Sequence, residues 1–543
     1  MTTRTSPEGG SPSLSFALLL AAIVGVGGCA SADYSPRGGY SDDDDDAADD
    51  DDGSFGDDDD DGDGAAGDGD DDDTPPPPEE EDDFLASEPR ATDVYVFIAN
   101  PTRDTVSKVN AETRAIETID VGDEPTMVVV SSDFERAVSF NQSADSVTVI
   151  DATTNATTEL EVREDFNFIQ ISPDGRWVVA WFNAALVDAN FDIEGVRSFT
   201  EVSFVDTISL EVQSYSVGFN PKDVRFTADS NTAVVLSDEF ITVANLSVDP
   251  IGLTLLDLEA DPLDPPTAVE VEVTPSGTFA FIRYQGTSDI LVVDLNDGTL
   301  GTIDGGSDPT DMDLSPNGLD CLIVARGSSE LRVFDTLDPL GTPPDVLPTP
   351  PGSTLGSLVM APDGNKALLF TTALREDRIT FWDVTTGDMI ERSLEKPVDA
   401  VAISPDGESA LIIHTLEDAP DEDDFFSDNY ALTVVDLNTW LTNPVVLASK
   451  PERWTTSNDG RYSLFVMENN RNVGVIDYLT RLVDDVLVPS MPVYIGMMPL
   501  ETEPEDALGW VSQEHELGRL SFVKPNDLSV QTVTGFELNS EID

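Results

Sequence analysis

Ile171-Ser172-Pro173-Asp174-Gly175 returns much later in the chain as Ile403-Ser404-Pro405-Asp406-Gly407, each time between two apolar runs. Proline presets φ, aspartate bonds its own backbone and glycine supplies a positive φ, so the pentapeptide predicts a tight reversal between antiparallel strands. Looser copies of the turn begin at Ser131, Thr227, Thr274, Ser315, Ala361 and Ser457, and successive turn starts lie 41 to 55 residues apart. After each turn come a second apolar strand, a gap, and a third strand that ends in aspartate, as in Val149-Ile150-Asp151, Val292-Val293-Asp294, Phe381-Trp382-Asp383 and Val475-Ile476-Asp477. That spacing is the period of a four-stranded propeller blade. The expected fold is all-β, a single β-propeller of eight to ten repeat units over residues 91–543. Its first unit is expected to supply three strands, its last unit, from about Pro492, has no clean turn, and the ring is expected to close by pairing between the terminal units.

Tyr95-Val96-Phe97-Ile98-Ala99-Asn100, followed by Thr105-Val106-Ser107-Lys108-Val109-Asn110, resembles the second and third strands of the YVTN-type β-propeller repeat family. The resemblance runs over nearly all of 91–543, with Asn110 and Asn245 standing where the family has Asp. Propellers of this general kind include lactonases, quinoprotein dehydrogenases and haem-containing nitrite reductases, so the resemblance admits an enzyme as well as a binding module.

Upstream of the repeats, Arg4 precedes the apolar stretch Phe16 to Val26, which is too short to span a bilayer and fits a signal-peptide core. Val26-Gly27-Gly28-Cys29 resembles the bacterial lipobox, in which the cysteine receives diacylglycerol. This implies a signal peptide over 1–28, lipidation at Cys29 and anchoring in the bacterial cell envelope. Ala30 resembles an outer-membrane sorting residue, so display at the periplasmic face or the cell surface is expected. Residues 29–90 read as a disordered tether, because Asp42 to Asp83 holds 25 acidic residues and no basic one and adds the Pro75 to Pro78 run. Within that tract Asp57, Asp59, Asp61 and Asp68 have the spacing of a calcium loop, a weak match in so aspartate-rich a stretch.

The formal charge of -80, from 107 acidic and 27 basic residues, excludes nucleic acid as a main partner. With His414 and His515 as its two histidines, the chain has little with which to build an imidazole relay or a redox copper site. His414 reads as a packed strand residue and His515 as a solvated loop residue. Cys321, opening Cys321-Leu322-Ile323-Val324, reads as a buried strand cysteine. No covalent haem motif is present. Calcium, held by carboxylates, is the one cofactor class the composition permits.

Two units are longer than the rest, by extra residues between their second and third strands, at about Asn183 to Arg197 and Glu417 to Asn429. These connections belong to the face opposite the Ser-Pro-Asp-Gly turns. The second joins Asp421, Asp423 and Asp424 to Phe425 and Phe426, a combination of carboxylates and aromatics suited to contact with a partner. The reading is an envelope lipoprotein whose propeller binds or scaffolds an envelope or extracellular protein or a glycan. Its alternative is a lactonase-like hydrolase or lyase using a carboxylate-bound divalent metal.

Overall fold

The computed structural model describes residues 90–187, 195–258, 268–414, 426, 429–499 and 507–536. Within them the chain forms ten four-stranded antiparallel sheets, each built from consecutive strands, and these ten blades stand in a ring as a β-propeller. The blades cover 90–120, 125–161, 168–216, 223–257, 268–304, 309–348, 357–393, 398–447, 451–487 and 492–534, and are numbered 1 to 10 in that order. The number lies at the top of the expected range and beyond the usual four to eight.

The signature residues act as their chemistry predicts. In the turn of blade 3 the Ser172 hydroxyl donates to Asp174 Oδ1 at 2.6 Å, which also accepts from the Arg176 backbone at 3.0 Å, while Gly175 takes φ 74°. Blade 8 repeats this with Ser404, Asp406 and Gly407. At the end of the third strand, Asp151 accepts backbone N–H groups from Thr153 and Thr154, at 3.0 and 2.7 Å. Asn110 makes the same pair of bonds to Glu112 and Thr113, at 2.9 and 2.6 Å, because an amide oxygen accepts as a carboxylate does. Its departure from Asp therefore leaves the turn intact.

Strands buried on both faces explain the continuous apolar runs. Leu411, Ile413, Leu432 and Val434 of blade 8 pack on Phe465, Met467 and Ile476 of blade 9. Between blades 5 and 6, Cys321 is fully buried beside Phe281, Val292 and Phe334, and burial pushes its thiol pKa well above the ordinary value. Fully buried phenylalanines such as Phe97, Phe204, Phe381 and Phe522 recur from blade to blade. Each contributes on the order of 1.5–3 kcal/mol relative to an exposed ring.

Two expectations about the ends are corrected. Blade 1 has a first strand of its own, Arg90–Ala91, paired to the strand Tyr95–Asn100, so it is not a three-stranded piece. No strand pairs across the junction of blades 1 and 10 among the described residues. The ring closes by side-chain packing, with Val96, Val109 and Ala111 against Trp510, Leu520, Phe522 and Phe536. Each terminal unit has its own four strands, so neither borrows one from the other. Blade 10 lacks the short turn because its first two strands are Pro492–Met497 and Gly509–Gln513.

Candidate functional site

First strands of neighbouring blades touch, for example in blades 1 and 2, blades 6 and 7 and blades 10 and 1, so they form the inner wall of the ring. Each runs from the face carrying the second-to-third connections and the links between blades, here the loop face, toward the turn face. The wall has a recurring device that the sequence reading missed. A proline opens the first strand in blades 2, 6, 9 and 10, and in each the register shifts one residue later, at Pro125/Met127, Pro309/Asp311, Pro451/Arg453 and Pro492/Tyr494. Blade 8 shifts between Val398 and Ala400, directly after Pro397. The signal in the sequence was the proline itself, at Pro125, Pro309, Pro397, Pro451 and Pro492. Proline lacks the N–H for a regular ladder and the following residue is left over as a β-bulge.

Both long connections leave the loop face, and both are fastened at their ends. In blade 3, Asn183 N donates to Asn167 Oδ1 at 2.7 Å and Asn167 Nδ2 donates to the Asn183 carbonyl at 3.0 Å. Asn183 then caps a single 3-10 turn, Ala184–Leu186. At the far end Arg197 Nε donates to Asp165 at 3.0 Å and the guanidinium also pairs with Glu164. The Asp165 carboxyl is thereby held below the usual range, chiefly by its bond to Arg197.

In blade 8 the connection runs between His414, the last residue of the second strand, and Tyr430, the first of the third. His414 is 2% exposed. Its Nδ1 lies 3.1 Å from the Pro397 carbonyl and its Nε2 2.7 Å from the Thr433 hydroxyl. A carbonyl can only accept, so Nδ1 carries the proton and Nε2 accepts from Thr433. Burial lowers the His414 pKa to about 4, with the neighbouring Lys396 charge acting in the same direction. Lys396, itself wholly buried, donates from Nζ to the Asn429 carbonyl at 2.6 Å. The Lys396-Pro397 link into blade 8 thus grips both ends of the connection.

Beside this base, between blades 8 and 9, lies a cavity of about 330 Å³ lined by Asp399, Ala400, Ile413, Lys450, Pro451, Glu452, Trp454 and Glu468. Asp399 and Glu452 are the bulged residues of their first strands. The Glu468 backbone N–H bonds the Lys450 carbonyl at 2.7 Å, which seats Glu468 over the start of the blade 9 first strand. Partial loss of hydration and the charge of Glu468 hold the Glu452 carboxyl above its usual pKa, against the opposing pull of Arg453 and Lys450.

A second group of charges is structural. Arg283 Nε pairs with Glu270 at 2.8 Å, and Asp311, 3% exposed, accepts from the Leu358 backbone of the next blade at 2.5 Å. Burial and the nearby Glu270 charge push the Asp311 pKa well up. Arg283 Nη1 also donates to the Pro309 carbonyl of blade 6 at 3.3 Å, so Arg283 joins blade 5 to blade 6 and Asp311 joins blade 6 to blade 7 along the inner wall.

Cys29, Asp57, Asp59, Asp61 and Asp68 lie outside the described residues, as do Asp421, Asp423, Asp424 and Phe425. Phe426 is half-buried and its carbonyl accepts from Asn429 N at 3.4 Å. His515 belongs to the second-to-third turn of blade 10, half-buried, where its Nδ1 accepts from Leu517 N at 3.1 Å. Among the described residues no three His, Cys, Asp or Glu side chains are grouped so as to hold a metal ion.

No family model matches the chain, and no curated protein does. Among solved structures, a eukaryotic initiation factor is 13% identical with a TM-score of 0.47, covering 70% of this chain and 93% of its own. A dihydro-heme d1 dehydrogenase in complex with DHE is 14% identical with a TM-score of 0.42, covering 66% of this chain and 73% of its own. Hydrazine synthase of Kuenenia stuttgartiensis is 15% identical with a TM-score of 0.35, covering 58% of this chain and 95% of its own. At these identities and scores the function of none of the three transfers to this chain.

Proposed function

We propose that the chain is a cell-envelope lipoprotein of the YVTN-repeat type that displays its ten-bladed ring as a binding or scaffolding module. Val26-Gly27-Gly28-Cys29 supports the anchor, and the 25 acidic residues between Asp42 and Asp83 support a long hydrated spacer between anchor and ring. The observation that carries the binding role is that the two longest second-to-third connections leave the same face, each fastened at its base, with the cavity between blades 8 and 9 opening beside one of them. Loops held on a rigid ring are the usual place for recognition. The partner class is an envelope or extracellular protein or a glycan, met at the loop face, with Phe425, Phe426 and their neighbouring aspartates as contact residues.

Fractionation of bacteria expressing the wild type and Cys29→Ser tests the anchor. Several acyl chains hold a protein far more firmly than one. The wild type is expected in the membrane fraction and the variant in the soluble periplasmic fraction. Equal recovery of both in the soluble fraction would remove the anchor from the reading. Pull-down of envelope material with the wild type and with Phe425→Ser/Phe426→Ser, with and without calcium, asks separately whether this loop is used.

A further inference from the structure

We propose that the cavity between blades 8 and 9 is a binding site for a small organic cation, a molecule carrying an ammonium group of the primary-amine or quaternary kind. Three carboxylates, Asp399, Glu452 and Glu468, face one lysine, Lys450, around a volume of about 330 Å³. That volume is at the lower end of the range for small-molecule sites and larger than a desolvated metal ion needs. The walls are mixed. Ile413, Ala400 and Pro451 are apolar, and the Trp454 indole supplies the aromatic surface on which a cation is held most strongly.

Two of the acids occupy a position at which other blades carry no charge. Asp399 and Glu452 occupy the bulge that follows the proline at the start of the first strand, and the same position in blades 2 and 6 is filled by Thr126 and Thr310. A threonine suffices for the bulge, and in blade 6 it serves the ring, since Thr310 Oγ1 donates to the Gly356 carbonyl of the next blade at 2.6 Å. A carboxylate cannot make that bond. The Thr126 hydroxyl of blade 2 makes no hydrogen bond and blade 10 has Val493 at this position, so the bulge itself calls for no charge; blades 8 and 9 place one there at two adjacent positions, and Glu468 adds a third charge from the second-strand end of blade 9. Lost hydration, with the Glu468 charge acting in the same direction, raises the proton affinity of Glu452 against the pull of Arg453 and Lys450. Arg453 lies over the Tyr494 ring of blade 10, 4.6 Å from its centroid, and so is directed away from blade 8. An ammonium group between Glu452 and Glu468, with its carbon substituents on Trp454, meets both the charge and the apolar wall.

The probes are choline, which offers charge and apolar surface but no N–H, and putrescine, which donates hydrogen bonds, each titrated by calorimetry into the full chain at constant ionic strength. The acidic segment binds cations diffusely in every variant, so the comparison is with Glu452→Gln/Glu468→Gln, which keeps side-chain shape and the same acidic segment. Equal melting temperatures establish that this variant is folded. The expected result is a saturable single-site component in the wild type that weakens at least tenfold in the double glutamine variant. Trp454→Leu should weaken choline more than putrescine. A wild type with no saturable component beyond that of the double variant would overturn the proposal, as would a saturable site taken by calcium and by neither amine. Failure of this experiment leaves partner capture by the loop untouched, because the loop variants do not alter the cavity.

Discussion

His414 shows how much one residue can tie stability to pH. Its neutral ring is held on both nitrogens inside blade 8, and its pKa is lowered from 6.5 to about 4. The unfolded chain therefore takes up a proton at a higher pH than the folded ring does. Above about pH 6.5 neither state is charged and the residue adds no pH dependence; as pH falls from there toward about 4 the unfolded state is favoured progressively, by as much as about 3 kcal/mol. His414→Gln removes this term. Urea denaturation at pH 7, 5.5 and 4.5 should show the wild type losing more stability than the variant across that window, and parallel losses would show that another group dominates. The sequence disclosed His414 as a packed strand residue from the apolar run before it. Its role in gripping the connection was hidden, because Pro397 and Thr433 meet it only once the blade is assembled.

At the scale of strands, the repeat was legible because most blades repeat one local chemistry, Ser-x-Asp or a close variant at the first turn and Asp or Asn at the third-strand end. The sites between blades were not, since Asp399, Glu452 and Glu468 come from different strands and form no motif along the chain. The bulges lay between these extremes, signalled by prolines whose meaning depends on the ladder they interrupt. Packing within a strand pair can be tested in blade 9, where Gly474 lies directly opposite Phe465. A Cβ on Gly474 would come within 2.0 Å of the Phe465 ring. Gly474→Ala should cost about 1–3 kcal/mol by overpacking. Chemical denaturation should show part of that recovered in Gly474→Ala/Phe465→Leu, and an unchanged midpoint in the single variant would mean that the ring moves aside freely.

For the molecule as a whole, the decisive feature is closure without strand exchange. Blade 10 covers apolar surface on both sides: Ile495, Val511 and Val523 pack against Leu464, Val466 and Val475 of blade 9, while Phe522 and Leu520 cover Val96 and Val109 of blade 1. A chain ending at residue 490 leaves both surfaces open, and nine blades cannot meet without changing the angle at every other interface. Light scattering after size exclusion should find it aggregated or assembled with further copies. A monomeric nine-bladed ring with the parent's melting temperature would show that the interfaces tolerate such a change.

The first strand of blade 1 adds a mechanical consequence. It is two residues long, Arg90–Ala91, and it lies on the inner wall, where it touches the first strands of blades 2 and 10. Any load carried along the chain from its N-terminal side reaches the ring there, near the axis, and is borne by the ladder between Arg90–Ala91 and Val96–Phe97 before any other. Next in line is the pairing of Tyr95–Asn100 with Thr105–Asn110, six residues on each side, backed by the packing of Val96 and Val109 on blade 10. The short strand is thus placed as a fuse: under tension it is expected to peel away first, letting out a few residues while the other thirty-nine strands among the described residues keep the ring shut.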